Sequence, residues 1–256
     1  MNVIVGVYIF AVGTIFASFF GVIVDRVPQN KSIVTPSSSC DNCGHVLKWY
    51  ENIPVLSYLL LGGKCSNCKT KIDPFLFVYE LIGGLSLLLV YLKYGLTIEC
   101  VLIELISLIM LLIAGYDYKT NTILNIFLYI LLALCLALCL YRIFVLNYDY
   151  RPYVFSCILG LVFFLLVKII MSRILKKEAM GLGDVLFAFI IGLVFQPFEQ
   201  LLGILVSSTV GSIISIIMIQ ISKNNRDTQI PFCPYLCLGY YSMFILGDIL
   251  TKLLLR

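Results

Sequence analysis

The chain has 256 residues, 61% of them hydrophobic and 12% charged, with a formal net charge of +4 and a mean hydropathy of +1.03. Apolar runs of such length exceed what a soluble core needs, so the composition excludes a soluble enzyme and indicates an all-α polytopic membrane protein.

Stretches of roughly 20 apolar residues mark about eight candidate spans, at 3–24, 75–94, 98–116, 124–146, 152–172, 183–196, 200–221 and 233–253. The first is too long and too poor in early basic residues for a cleaved signal peptide, and no small-residue cleavage site precedes its charged end. It reads as a retained span. Between it and the second lies the one long polar stretch, so the expected division is a first span (1–24), a loop domain (25–74) and a multi-span membrane domain (75–256). The sixth run, about 14 residues or near 21 Å of helix, is expected to be tilted, shielded by neighbours or extended by the glycine-rich turn before it. Basic residues including Arg26, Lys48, Lys64, Lys119, Arg173 and Arg226 fall on one side, against Lys93, Arg142, Arg151 and Lys252 on the other. The positive-inside bias puts the loop domain in the cytoplasm.

That loop carries Cys40-Asp41-Asn42-Cys43 and Cys65-Ser66-Asn67-Cys68. Two such knuckles complete a tetrahedral four-sulfur site, with no open position, and the expected ion is a structural zinc. Free thiols or a redox pair are the weaker reading on a reducing face. A segment of about 50 residues buries too little apolar surface to fold alone, which gives a metal a physical purpose. His45 reads as a loop residue beside a complete cysteine set, and the remaining cysteines as small apolar residues of the spans.

Asp117, in Gly115-Tyr116-Asp117-Tyr118, and Asp184, in Gly181-Leu182-Gly183-Asp184, each lie where an apolar run meets its polar flank. The span assignment gives them one cytoplasmic depth, although they are far apart in sequence. Carboxylates at such a depth are costly and mark function. Two that share a proton can make water nucleophilic and protonate a leaving amine, which is peptide hydrolysis. The competing reading is a pair of helix-end residues, with Asp184 as an N-cap. Gly181 and Gly183 are expected to let a partner helix or an extended substrate approach. Among other acids in the spans, Glu104 reads as structural, while Glu80 could equally join a polar site.

These residues resemble the type IV prepilin peptidase family of membrane aspartic proteases. The resemblance rests on Ser18-Phe19-Phe20 through Arg26-Val27-Pro28, the two CxxC pairs around Trp49-Tyr50-Glu51-Asn52-Ile53-Pro54, Asp117, the GxGD ending at Asp184, and Ile230-Pro231-Phe232 with Pro234. It implies that Asp117 and Asp184 are catalytic, with Gly181 and Gly183 as supporting motif, and that Cys40, Cys43, Cys65 and Cys68 bind metal. It implies removal of the short basic leader of a type IV prepilin or pseudopilin at the cytoplasmic edge of a bacterial inner membrane. N-methylation of the new terminus with S-adenosylmethionine is implied too. Expected partners are that substrate and membrane lipids, with no nucleic acid. Residues binding the methyl donor are not legible: no glycine-rich cofactor loop is visible, and Trp49 and Tyr50 read equally well as an aromatic cap against the membrane surface.

The chain departs from the family pattern at Leu124, where a proline is usual, at Leu186, where a lysine is usual, and at Cys233, where a glycine is usual. Two other readings are a membrane scaffold of a pilus or secretion machine that docks partners through the loop, and a protease of the wider GxGD type that cuts within an apolar helix.

Overall fold

The computed structural model describes residues 2–176, 180–222 and 231–254; Arg226 and Ile230 lie outside them. Among the described residues the regular structure is helical, with α1 Val3–Arg26, α2 Leu56–Leu60, α3 Pro74–Tyr94, α4 Ile98–Thr120, α5 Asn125–Phe144, α6 Arg151–Leu175, α7 Leu182–Ile191, α8 Pro197–Ser222 and α9 Cys233–Leu254. Seven of these helices are long and apolar enough to cross a membrane. The expected eight resolve into these seven and the short apolar α7.

Side chains start the helices where the first N–H groups lack partners. Asn2 accepts from Ile4 N, Asp73 from Phe75 N, and Thr97 from Cys100 N. Two boundaries differ from the sequence reading. The third span was expected to end at 116, but α4 runs to Thr120 and stops at Asn121, in the left-handed region at φ 51°. Asp117 therefore lies inside the last turn of a helix. The sixth span was expected to reach 196, but α7 ends at Ile191, and the Gly192 that follows lies against the backbone of Cys157. Ten residues of helix rise only about 15 Å, half a hydrocarbon core.

The chain divides into two compact units, Met1–Gly95 and Leu96–Arg256. In the first, α1 and α3 pack antiparallel at very short range. A Cβ on Gly13 would stand 2.6 Å from the Gly83 carbonyl oxygen, and one on Gly84 would meet Thr14 and Phe10. Glycine is required here for space, and the close approach lets dispersion contacts replace the hydrophobic drive that lipid does not supply. Between these helices the loop forms two matching knuckles. Each has an antiparallel bridge at its base, Ser39 with Val46 and Lys64 with Lys71, and each turns through a left-handed residue, Gly44 or Lys69.

In the second unit α4 packs on α5 and α9, α6 on α7 and α8, α5 on α7, and α8 on α9. The antiparallel register of α6 and α7 follows from two contacts: Gly192 on Cys157, and Gly160 on the carbonyl of Ala188. At one end Arg142 of α5 clamps the unit. Its Nε donates to Glu99 of α4 at 2.8 Å, and it also donates to the carbonyl of Val194 just beyond α7.

Candidate catalytic and metal sites

Asp117 and Asp184 are buried, with 5% and 9% of their surface exposed. α4 carries Asp117 to the start of α9, where its Oδ2 accepts the Cys233 N–H at 3.2 Å. That N–H belongs to the first residue of α9 and has no partner within its own helix. Asp184 is the third residue of α7, whose N-cap is Gly181, and its carboxylate accepts from the Gly181 backbone. Asp184 thus lies in the first turn of its own helix, and the Asp117 carboxylate, carried on the last turn of α4, faces the N-terminus of α9; a helix N-terminus favours an anion.

The N-cap alternative for Asp184 is corrected. Gly181 holds that position, and Asp184 reaches back to it as the acid of a capping box does. Capping alone does not explain why the two carboxylates lie within electrostatic reach of each other, with Cys233 within reach of both. Phe164 of α6 packs on Phe232, the residue before α9, so the ends of α4, α7 and α9 converge beside α6.

The two glycines of the motif differ in use. A Cβ on Gly183 would come within 3.1 Å of the Ile123 side chain, whereas Gly181 faces only Asp184 and its own neighbour. Neither has positive φ, so Gly183 supplies room and not an unusual backbone shape. Ile123 precedes Leu124, which starts α5 at φ −73°, close to the angle a proline imposes. The missing proline therefore leaves the start of α5 in place. Leu186, two residues and about 200° round the helix from Asp184, is exposed. A cation lies within electrostatic range of Asp184, but from α6: Lys168. Sequence reasoning missed Lys168 because only the α6–α7 register brings it near.

In the loop, the four sulfurs of Cys40, Cys43, Cys65 and Cys68 lie within 4.8 Å of one another and could hold a metal ion. Two Sγ–Sγ pairs are 3.8 Å and 3.9 Å apart, Cys40 to Cys68 and Cys43 to Cys65. A disulfide needs about 2.05 Å. The Asn side chains are exchanged between the knuckles: Asn42 Nδ2 donates to Cys68 Sγ at 3.7 Å, and Asn67 Nδ2 to Cys43 Sγ at 3.8 Å. Such outer contacts orient ligands and stabilise thiolates. Hydrogen bonds from Thr70, then from Asn42, hold the Cys68 thiol down to about 5.

His45 is not part of the sulfur cluster. Its Nε2 lies 3.2 Å from Glu51 Oε2, which also accepts the Lys48 N–H at 2.8 Å. Glu80, left open by the sequence, is buried and accepts the Val55 N–H at 2.8 Å. It serves the loop of its own unit. Glu104 accepts from the Cys100 thiol at 3.6 Å.

Comparison with known proteins places both motifs in one family. Residues 11–94 match the model of the bacterial peptidase A24 N-terminal domain, and residues 104–216 that of the type IV leader peptidase family. A prepilin leader peptidase/N-methyltransferase of Myxococcus xanthus is 32% identical over 83% of this chain and 63% of its own length. One from Pseudomonas aeruginosa is 29% identical over 95% of this chain and 91% of its own length. One from Vibrio cholerae is 40% identical over 27% of this chain and 31% of its own length. The chain thus spans just under two thirds of the first of these relatives and most of the second. The enzymatic names do not favour the scaffold reading. No solved structure matches the chain.

Proposed function

The chain belongs to the type IV leader peptidase family, and from that premise we propose that it is a membrane aspartic endopeptidase that removes the leader of a type IV prepilin or pseudopilin. The observation that carries this reading is that the fold brings Asp117 of α4 and Asp184 of α7 within electrostatic reach of each other. Two carboxylates that share one site hold one proton between them. The ionised one takes a proton from water as the oxygen attacks the scissile carbonyl carbon, and the protonated one donates to the carbonyl oxygen. Collapse of the tetrahedral intermediate then breaks the C–N bond, with the proton passed to the departing amine. Cys233 N–H and the Gly181 backbone hold the acids in place.

The substrate is read as an apolar helix whose basic leader stays at the membrane edge, so depth contributes to specificity. The enzyme is placed in a bacterial inner membrane, with the loop on the cytoplasmic face by the positive-inside bias. The loop's ion is read as structural zinc. Sulfurs about 2.3 Å from a tetrahedral zinc stand about 3.8 Å apart, which the two measured pairs fit. Four cysteines leave no position for substrate, so the ion stabilises the loop. N-methylation of the new terminus is read as a second activity. S-adenosylmethionine would supply the methyl group, but among the described residues no strand–loop–helix cradle fits an adenosyl group, and no residue is assigned to it.

The test incubates membranes containing this chain with a prepilin, with and without S-adenosylmethionine, and weighs the product's N-terminus. Loss of the leader mass is expected, with one further methyl when the donor is present. Asp117→Asn and Asp184→Asn should each slow leader removal by about a thousandfold; a variant that still cleaves at the parent rate refutes the dyad.

A further inference from the structure

α2 is five residues long, yet its two faces have opposite surroundings. Tyr58 stacks on Phe77 of α3, with centroids 4.6 Å apart and planes at 18°. Leu56, Leu59 and Leu60, spaced to share the other face, are all exposed, Leu60 to 86%.

The depth of this helix is fixed by its neighbours. Gly21 of α1 lies against Leu76 of α3, and that antiparallel register sets Asp25 and Arg26 level with Asp73, the N-cap of α3. These charges mark where α1 and α3 leave the hydrocarbon. Phe77 is the fourth residue of α3 and Glu80 the seventh, so the Glu80 backbone lies about 10 Å beyond Asp73. Its side chain leans back toward the helix start, and there it accepts the Val55 N–H. Ser18 of α1 bonds the same carboxylate. Val55 is drawn in far enough to adopt φ 63°, a conformation costly for a β-branched residue. α2 begins at the next residue, so its exposed leucines start at the depth of the last turns of α1 and the first turns of α3.

We propose that α2 is a monotopic anchor whose Leu56, Leu59 and Leu60 lie in the boundary between lipid headgroups and acyl chains. The depth matches the roughly 5–10 Å at which interfacial helices settle. Lys48 and Lys64 flank the segment, and Lys48 Nζ stands 5.8 Å from the Tyr50 ring centroid. Trp49, 80% exposed, and Tyr50 are the side chains that favour the headgroup layer, with lysine directed to phosphate. The partner is thus a lipid surface, and Glu80 is the positioning residue that holds α2 against it. This inference rests on α1 and α3 being membrane spans and is independent of peptidase activity.

The chain contains one tryptophan, so a single reporter can be moved to α2 by Leu60→Trp in a Trp49→Phe background. The full-length protein is placed in anionic phospholipid vesicles with lipids brominated on the upper acyl carbons. Emission is expected to fall by roughly half with the brominated lipid and to resist aqueous iodide. Strong quenching by iodide without quenching by bromine overturns the proposal. Protection from both also overturns it, because protein, such as a second copy of the chain, then covers this face. Adding Glu80→Leu should reverse the two sensitivities while bound metal stays constant; unchanged quenching removes Glu80 from the role.

Discussion

For the proposed dyad, Gly183 is the place where a missing side chain makes room beside Asp184. Ile123 fills the space in front of it, so Gly183→Ala must push Ile123 or Asp184 aside. A displacement of well under 1 Å in a catalytic group is felt in rate. Leader removal by Gly183→Ala should therefore slow, and a second change, Ile123→Ala, should restore most of it, as measured by the initial rate of prepilin cleavage. If the double variant is as slow as the single one, the glycine is not there to make room for Ile123. Glu51 gives a prediction in pH. Hydrogen bonds from Ser66, then from the Lys48 N–H, with His45 beside it, hold its carboxyl down to about 2 from an ordinary 4.5. The folded loop therefore prefers the ionised form. That contribution is complete above pH 4.5 and is lost as pH falls toward 2. Urea unfolding followed by Trp49 emission should show Glu51→Gln less stable than the parent above pH 4.5, with the gap closing below it. A gap that is constant with pH contradicts the assignment.

Among the elements, the loop is the one that depends on something other than its own packing. Its two knuckles have little more than short turns and single bridges of backbone pairing, and their sulfurs converge on one point. A bound zinc supplies on the order of 10 kcal/mol to such a fold. Stripping metal with a chelator should expose residues 31–73 to protease while the long apolar helices stay protected, and readdition of zinc should reverse it. α7 is the opposite case. It is too short to cross a membrane alone, and its stability comes from the close backbone approach of α6 at Gly160 and Gly192. The sequence reading carried it on to 196 because Gly192-Leu193-Val194-Phe195 continue the apolar run of the helix before them. Hydropathy measures where a residue can reside and not where a helix stops.

At the scale of the whole molecule, the two candidate sites belong to different units. The four cysteines of the sulfur cluster belong to the unit Met1–Gly95, and Asp117 and Asp184 to Leu96–Arg256. Cys43→Ser should therefore lose the ion while Asp117→Asn keeps it, as elemental analysis of the purified proteins will show. Much of this organisation was legible in the chain itself. Apolar runs fixed the helices, since lipid demands a continuous stretch of such residues. The paired CxxC spacing singled out the four sulfurs that the fold gathers, and GxGD with Asp117 singled out the two acids it brings within electrostatic reach. Chain order alone could not reveal three further features. Lys168 approaches Asp184 only because α6 and α7 run antiparallel in one register. The N-terminus of α9 meets Asp117 across 116 residues of sequence. Glu80 reaches Val55 only when the loop folds back along α3. Sequence determined which groups must leave water and which ligands they carry, because those are properties of the residues. Tertiary structure decided which of the buried charges face one another, because Coulomb and hydrogen-bond energies depend on separation in space, and helix packing sets that separation.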